Sequence, residues 1–106
     1  MPYFFCKLIG PRPSFPFDMN EAEATAMAAH SAYWQEQAGK GVAIAVGPVF
    51  DPKGPFGVAI AEAVDDTAMR AVLDADPVIQ AGLGFAFEMH GIPSLILRNG
   101  IAAPQG

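Results

Sequence analysis

Apolar and polar positions alternate with a period of two in several short stretches of this chain and recur with a helical period in two longer ones, with turn-forming residues between them. Residues 3–9 are aromatic and branched and stop at Gly10-Pro11, which predicts a first strand. A loop over residues 10–18 follows. Pro11, Pro13 and Pro16 fix φ and remove amide donors, so this loop is irregular but stiff. Its aromatics, Phe15 and Phe17, need cover from the core, across a cleft or from a partner chain.

Residues 20–40 predict a helix. Asn20 is a suitable N-cap, Glu23 completes a capping-box pair, and Glu21 and Glu23 suit the positive helix end. Gly39 and Gly41 around Lys40 supply the stop. On a helical wheel Ala22, Ala26, Ala29 and Tyr33 form the expected core stripe, and Glu21, Thr25, Ala28, Gln35 and Glu36 an adjoining polar face. His30 falls at the stripe's other edge, with Tyr33 and Trp34 one turn on and Gln37 two turns on.

Residues 42–49 and 56–64 predict two strands joined by a Pro- and Gly-rich hairpin connection over residues 50–55. One face carries Val42, Ile44, Val46, Val58, Ile60 and Val64, broken only by Glu62. The other carries Ala43, Ala45, Gly47, Ala59, Ala61 and Ala63. Both faces are largely apolar, and one layer of two helices covers only one of them. The second face is therefore expected to pack against another copy, as a homodimer joined sheet to sheet.

Asp65 or Asp66 caps a second helix through Thr67, Ala68, Met69, Val72 and Leu73, which ends at Asp76-Pro77 because a residue before proline avoids helical geometry. A short turn leads to a fourth strand over residues 83–89, where Leu83, Phe85, Phe87 and Met89 alternate with Gly84, Ala86 and Glu88. A final extended segment over residues 93–98 precedes a tail, residues 99–106, expected to be mobile. The order β-α-β-β-α-β predicts an α+β, ferredoxin-like antiparallel sheet with two helices on one face and an extra C-terminal strand.

Composition narrows the function classes. At 106 residues the chain fits one domain with its own core. The single cysteine, Cys6, allows no intrachain disulfide and fits a reducing compartment. Hydrophobic residues make up 52%, yet no apolar run approaches the ~20 needed to span a bilayer, so no membrane partner is expected. The start lacks a basic region ahead of an apolar one, so no secretory signal is expected and a cytoplasmic location is the default. A net charge of -5 leaves no basic stripe for nucleic acid. The run Val58-Ala59-Ile60-Ala61-Glu62-Ala63 also lacks the exposed aromatics and basic residues of an RNA-reading sheet.

For chemistry, His30 leads: histidine titrates near neutrality, and a neighbouring carboxylate would orient its ring. Asp76 is the candidate carboxylate, held stiffly by Pro77 at the end of the helical layer, where contact with His30 is geometrically possible. The plainer alternatives are an edge histidine and a turn residue. Arg12, between two prolines, suits bidentate recognition of a substrate carboxylate or a surface role. Cys6 reads as a small buried hydrophobe and His90 as a strand-end residue. Cys6, His30 and His90 show no zinc-ligand spacing, and no phosphate loop or dinucleotide fingerprint occurs, so no metal or cofactor is expected.

His30 in His-x-x-Tyr-Trp, Gly47-Pro48 closing strand two, Asp76-Pro77 after helix two and Gly82 beyond it span most of the chain. In this order and spacing they resemble the YciI-like (YCII-related) family, related in fold to the dimeric α/β-barrel group. Arg12-Pro13-Ser14-Phe15 before an acidic helix start resembles one branch of it, while the long loop over residues 10–18 departs from its short-looped members. The resemblance implies a dimeric ferredoxin-like fold with a cleft near the dimer interface, and a catalytic His-Asp pair that falls on His30 and Asp76. The expectation is a cofactor-independent lyase or isomerase acting on a small cyclic or aromatic compound by elimination or isomerisation. Arg12, Phe15, Tyr33, Trp34, Gly47 and Pro48 are its candidate substrate-binding residues. The alternative is a non-catalytic ligand-binding or regulatory dimer in which His30 only tunes a pocket.

Overall fold

The computed structural model describes residues 2–99; the expected mobile tail, apart from Asn99, lies outside the described residues. In chain order the elements are β1 (Tyr3–Ile9), α1 (Glu21–Gly39), β2 (Ala43–Val49), β3 (Phe56–Glu62), α2 (Asp66–Asp74), α3 (Pro77–Gln80) and β4 (Ala86–Ile92). The strands form one sheet in the order β2-β3-β1-β4 with every neighbouring pair antiparallel. This is the ferredoxin-like arrangement, and the helices cover one face.

Side-chain size decides which face the helices take. On β1, Phe4, Cys6 and Leu8 are buried, while Tyr3, Phe5 and Lys7 between them are half-buried. Directly paired residues of antiparallel strands share a face. Ala61, Ala59 and Gly57 of β3 lie opposite Phe4, Cys6 and Leu8, so the small residues of β3 meet the helices. Phe56, Val58 and Ile60 point to the open face, where they are only half-buried.

The alternation expected on β2 breaks at a bulge between Ala43 and Ala45. A bulge inserts one unpaired residue and reverses the facing of everything beyond it. Val46 therefore lies opposite Ala59 and Pro48 opposite Gly57, on the helix side, rather than with Val58 and Ile60 as the simple alternation predicts. On β4, Phe87 and Met89 lie opposite Leu8 and Cys6 and join the helix-side layer. The extra strand expected over residues 93–98 is not formed among the described residues. Pro93 follows β4 directly and has no amide proton to continue a ladder.

Helix α1 begins with the predicted capping box: Asn20 Oδ1 accepts from Glu23 N at 2.8 Å and Glu23 Oε1 accepts from Asn20 N at 3.0 Å. Its buried side is not the expected one. Glu23, Ala26, Trp34 and Gln37 are buried, Met27, His30 and Tyr33 are half-buried, and Ala22 and Ala29 are exposed. His30 thus sits near the middle of the packed stripe. Alanines on every side give this helix little hydrophobic asymmetry of its own, so the neighbouring elements choose the buried side. Asp65 caps α2 by accepting from Ala68 N at 2.8 Å.

The core falls into two clusters. Phe4, Cys6, Trp34, Ala59, Ala61, Met69 and Leu73 pack under α2 and the second half of α1. Leu8, Phe15, Ala26, Val78 and Phe85 pack under the proline-rich loop and the first half of α1. No described helix is long and apolar enough to cross a membrane.

Candidate active site

Asp76 is the N-cap of α3, with extended backbone (φ -60, ψ 129), and Pro77 at the next position supplies the fixed φ that a first helical turn wants. Its Oδ1 accepts from Val78 N at 2.9 Å. Its Oδ2 accepts twice, from His30 Nδ1 at 2.6 Å and from Trp34 Nε1 at 2.7 Å. The two donors stand one turn apart on α1, which packs directly against α3. The carboxylate is completely buried, a costly state for an ionisable group unless hydrogen bonds replace water, and three N–H donors do so here. Because a carboxylate oxygen only accepts, Nδ1 carries a proton, and in the neutral imidazole the free lone pair is then the one on Nε2.

His30 borders a cleft of about 520 Å³ between α1 and the sheet. The cleft exists because the side chains facing α1 here are small: Gly57 and Ala59 lie beneath it, with Val46 and Pro48 beyond. Leu8, Phe85 and Phe87 line its floor and Phe15 of the proline-rich loop closes one end. The Phe15 ring stands edge-on to Phe85 at 5.0 Å between centroids. Among the described lining residues the only polar side chains are His30, Ser31 and Gln35, and none is a Lys, Arg, Asp or Glu.

Of the residues singled out by sequence, His30, Trp34, Phe15, Gly47 and Pro48 line the cleft. Asp76 sits behind His30 and does not line it. Tyr33 turns away: its hydroxyl donates to the Val72 carbonyl at 2.6 Å, and its ring packs edge-on against Trp34 at 5.6 Å. Burial raises the Tyr33 phenol above its ordinary range, helped by the charges of Asp76 and Glu36, so it remains a donor.

Arg12 is also elsewhere. Its Nη1 and Nη2 bind Glu23 at 2.7 and 2.8 Å, while Nε binds Asp18 at 2.9 Å and Nη2 also reaches the Asp18 carbonyl at 2.8 Å. These bonds fasten the proline-rich loop to the capping box of α1. Hydrogen bonds from Arg12 hold both the Asp18 and Glu23 carboxyls below their ordinary range, and the guanidinium is raised in turn.

Several lining residues escaped the sequence reading: Leu8, Met27, Ser31, Gln35, Val46, Phe85 and Phe87. The i, i+4 spacing of Ser31 and Gln35 beside that of His30 and Trp34 was an available signal. For Val46 the bulge had to be known first.

The model of the YCII-related domain matches residues 3–90 of the chain. Among solved structures, the 5-chloro-2-hydroxyhydroquinone dehydrochlorinase of Burkholderia phenoliruptrix AC1100, in complex with 2,5-dihydroxybenzoquinone, aligns with a TM-score of 0.59. The alignment covers 82% of this chain and 90% of that one at 22% identity, a likeness of fold. No curated protein sequence matches the chain.

Proposed function

From the premise that the chain belongs to the YCII-related domain family, we propose that it is a cofactor-independent enzyme using His30 as general base and acid on a small cyclic or aromatic molecule. One observation carries this reading: an imidazole on the wall of an apolar cleft is held by a fully buried carboxylate at 2.6 Å. Asp76 fixes the ring and its tautomer, so Nε2 is the nitrogen left for a ligand. No described residue is hydrogen-bonded to Nε2.

In an elimination, Nε2 takes a proton from the substrate, the freed electron pair becomes a new double bond, and the leaving group departs with its own pair. In an isomerisation the same nitrogen returns the proton at another carbon. Neither route needs an external oxidant, and the apolar walls of Trp34 and Phe15 keep competing water away. That the structural neighbour is a dehydrochlorinase, an enzyme of the elimination class, supports the same choice.

The half-buried apolar side chains of the open sheet face, Phe5, Phe56, Val58 and Ile60 among them, support a homodimer packed through that face. A monomer in sedimentation equilibrium at micromolar concentration would count against it. The test of the chemistry is His30→Gln. Turnover of a screened substrate is expected to fall about 10²- to 10⁴-fold with the fold intact by circular dichroism. Unchanged turnover would sink the assignment, and wild-type binding without any turnover would make the chain a binding module instead.

A further inference from the structure

The volume and lining of the cleft define a ligand size that acid-base chemistry alone does not. A dry apolar cavity of about 150 Å³ is enough for one benzene ring. The cleft holds about 520 Å³, within the roughly 300–1,000 Å³ of sites that enclose larger organic ligands. A single ring would fill less than about a third of that space.

Charge narrows the class further. Among the described lining residues the polar side chains, His30, Ser31 and Gln35, all come from α1, and none is a Lys or Arg that could pair with an anion. Arg12 is committed to Asp18 and Glu23. A carboxylate or phosphate taken into such a space loses hydration without a counter-charge. Phe50, which also lines the cleft, is 70% exposed and tilts against Phe17, 75% exposed, with ring centroids 6.1 Å apart. Two large apolar rings left in water, one of them on the lining of an apolar cleft, offer a second aromatic contact.

We propose that the cleft binds uncharged aromatic molecules of two or more fused or linked rings, with a hydroxyl or carbonyl at His30 and the far ring reaching Phe50. The choice of which end meets the imidazole rests on the acid-base reading above; the size class rests on the cleft alone.

Isothermal titration of the whole chain with hydroquinone, 2-naphthol and 3-hydroxy-2-naphthoate tests it. The second ring is expected to tighten Kd at least about tenfold, and the added carboxylate to weaken it by a similar factor. Val46→Trp, at a cleft-lining position 43% exposed, should weaken 2-naphthol more than about tenfold and leave hydroquinone within about twofold. Ala38→Trp, at another cleft-lining position that is exposed on α1, serves if the first variant does not fold. Hydroquinone binding as tightly as 2-naphthol, or the naphthoate binding more tightly than either, overturns the proposal. Turnover of one-ring compounds alongside that result overturns the size class and leaves the role of His30 standing. Two-ring binding in both wild type and His30→Gln, without turnover in either, upholds the size class and removes the acid-base reading.

Discussion

Replacing Asp76 with Asn changes one oxygen into an amide NH₂ and removes the negative charge, at almost constant volume. The consequence follows from the distribution of donors, two on Oδ2 and one on Oδ1. If the remaining oxygen stays with His30 and Trp34, the amide NH₂ is driven against the Val78 N–H and the cap of α3 is lost. If it stays with Val78, the NH₂ faces the Trp34 N–H, even should His30 change tautomer to accept. Either way one buried donor is orphaned, which costs about 1–3 kcal/mol, and the surviving bonds lose their charge assistance, about 1 kcal/mol each. The variant is expected to be about 2–5 kcal/mol less stable. At about 3 kcal/mol, Tm falls by roughly 12–24 °C for a domain of this size. Equilibrium urea unfolding measures it, followed in parallel by far-UV circular dichroism and by the fluorescence of Trp34, the single tryptophan. A loss below about 1 kcal/mol with an unchanged slope would refute the accounting. As a control, the same substitution in a Trp34→Phe background should cost less, because one of the three donors is already gone.

Two further outcomes follow from groups outside the cleft. Asp18 and Glu23 are held below their ordinary range by Arg12, so the stability they contribute is complete above the usual carboxyl values, about pH 4, and is lost as pH falls through their lower folded values. Arg12→Gln removes the cause, so its urea midpoint should fall less between pH 6 and pH 3 than that of wild type; parallel acid limbs would show the clamp to be idle. Burial pushes the Cys6 thiol up to about 11 against the opposing pull of Arg70, so it stays protonated and unreactive in the folded chain. Ellman's reagent at pH 8 should label it only in urea, and stability should fall as pH rises from about 8.5, where an unfolded thiol ionises, through about 11. Rapid labelling of the native protein would contradict this.

Much of the framework was legible because local chemistry dictated it. Asn20 and Glu23 cap α1 and Asp65 caps α2 with side chains that reach only a few residues along the chain. Asp76-Pro77 marks a boundary for the same reason, although the following turn closes into a short helix, α3. The candidate pair of His30 and Asp76 could be named from sequence because a titratable ring and a proline-fixed carboxylate are unusual among alanines. What sequence could not show was that Trp34 donates to the same oxygen, or that Arg12 is consumed by the loop it stands in. Those partners lie 42 and 11 residues away, and side chains of that reach have many possible neighbours until the fold is set.

The chain by itself thus determined its four strands and two longer helices, their order and the residues able to do acid-base chemistry, because capping, proline geometry and two-residue alternation act within a few residues. Tertiary structure alone decided which side of α1 is buried, which way Val46 points and where the cleft opens. Each depends on a contact between distant segments: α3 against an alanine-rich helix with little preference of its own, β3 against a bulged β2, and Gly57 and Ala59 beneath a helix they do not fill. An alternation read along one strand cannot reveal a residue inserted relative to its partner, and an empty space has no sequence of its own.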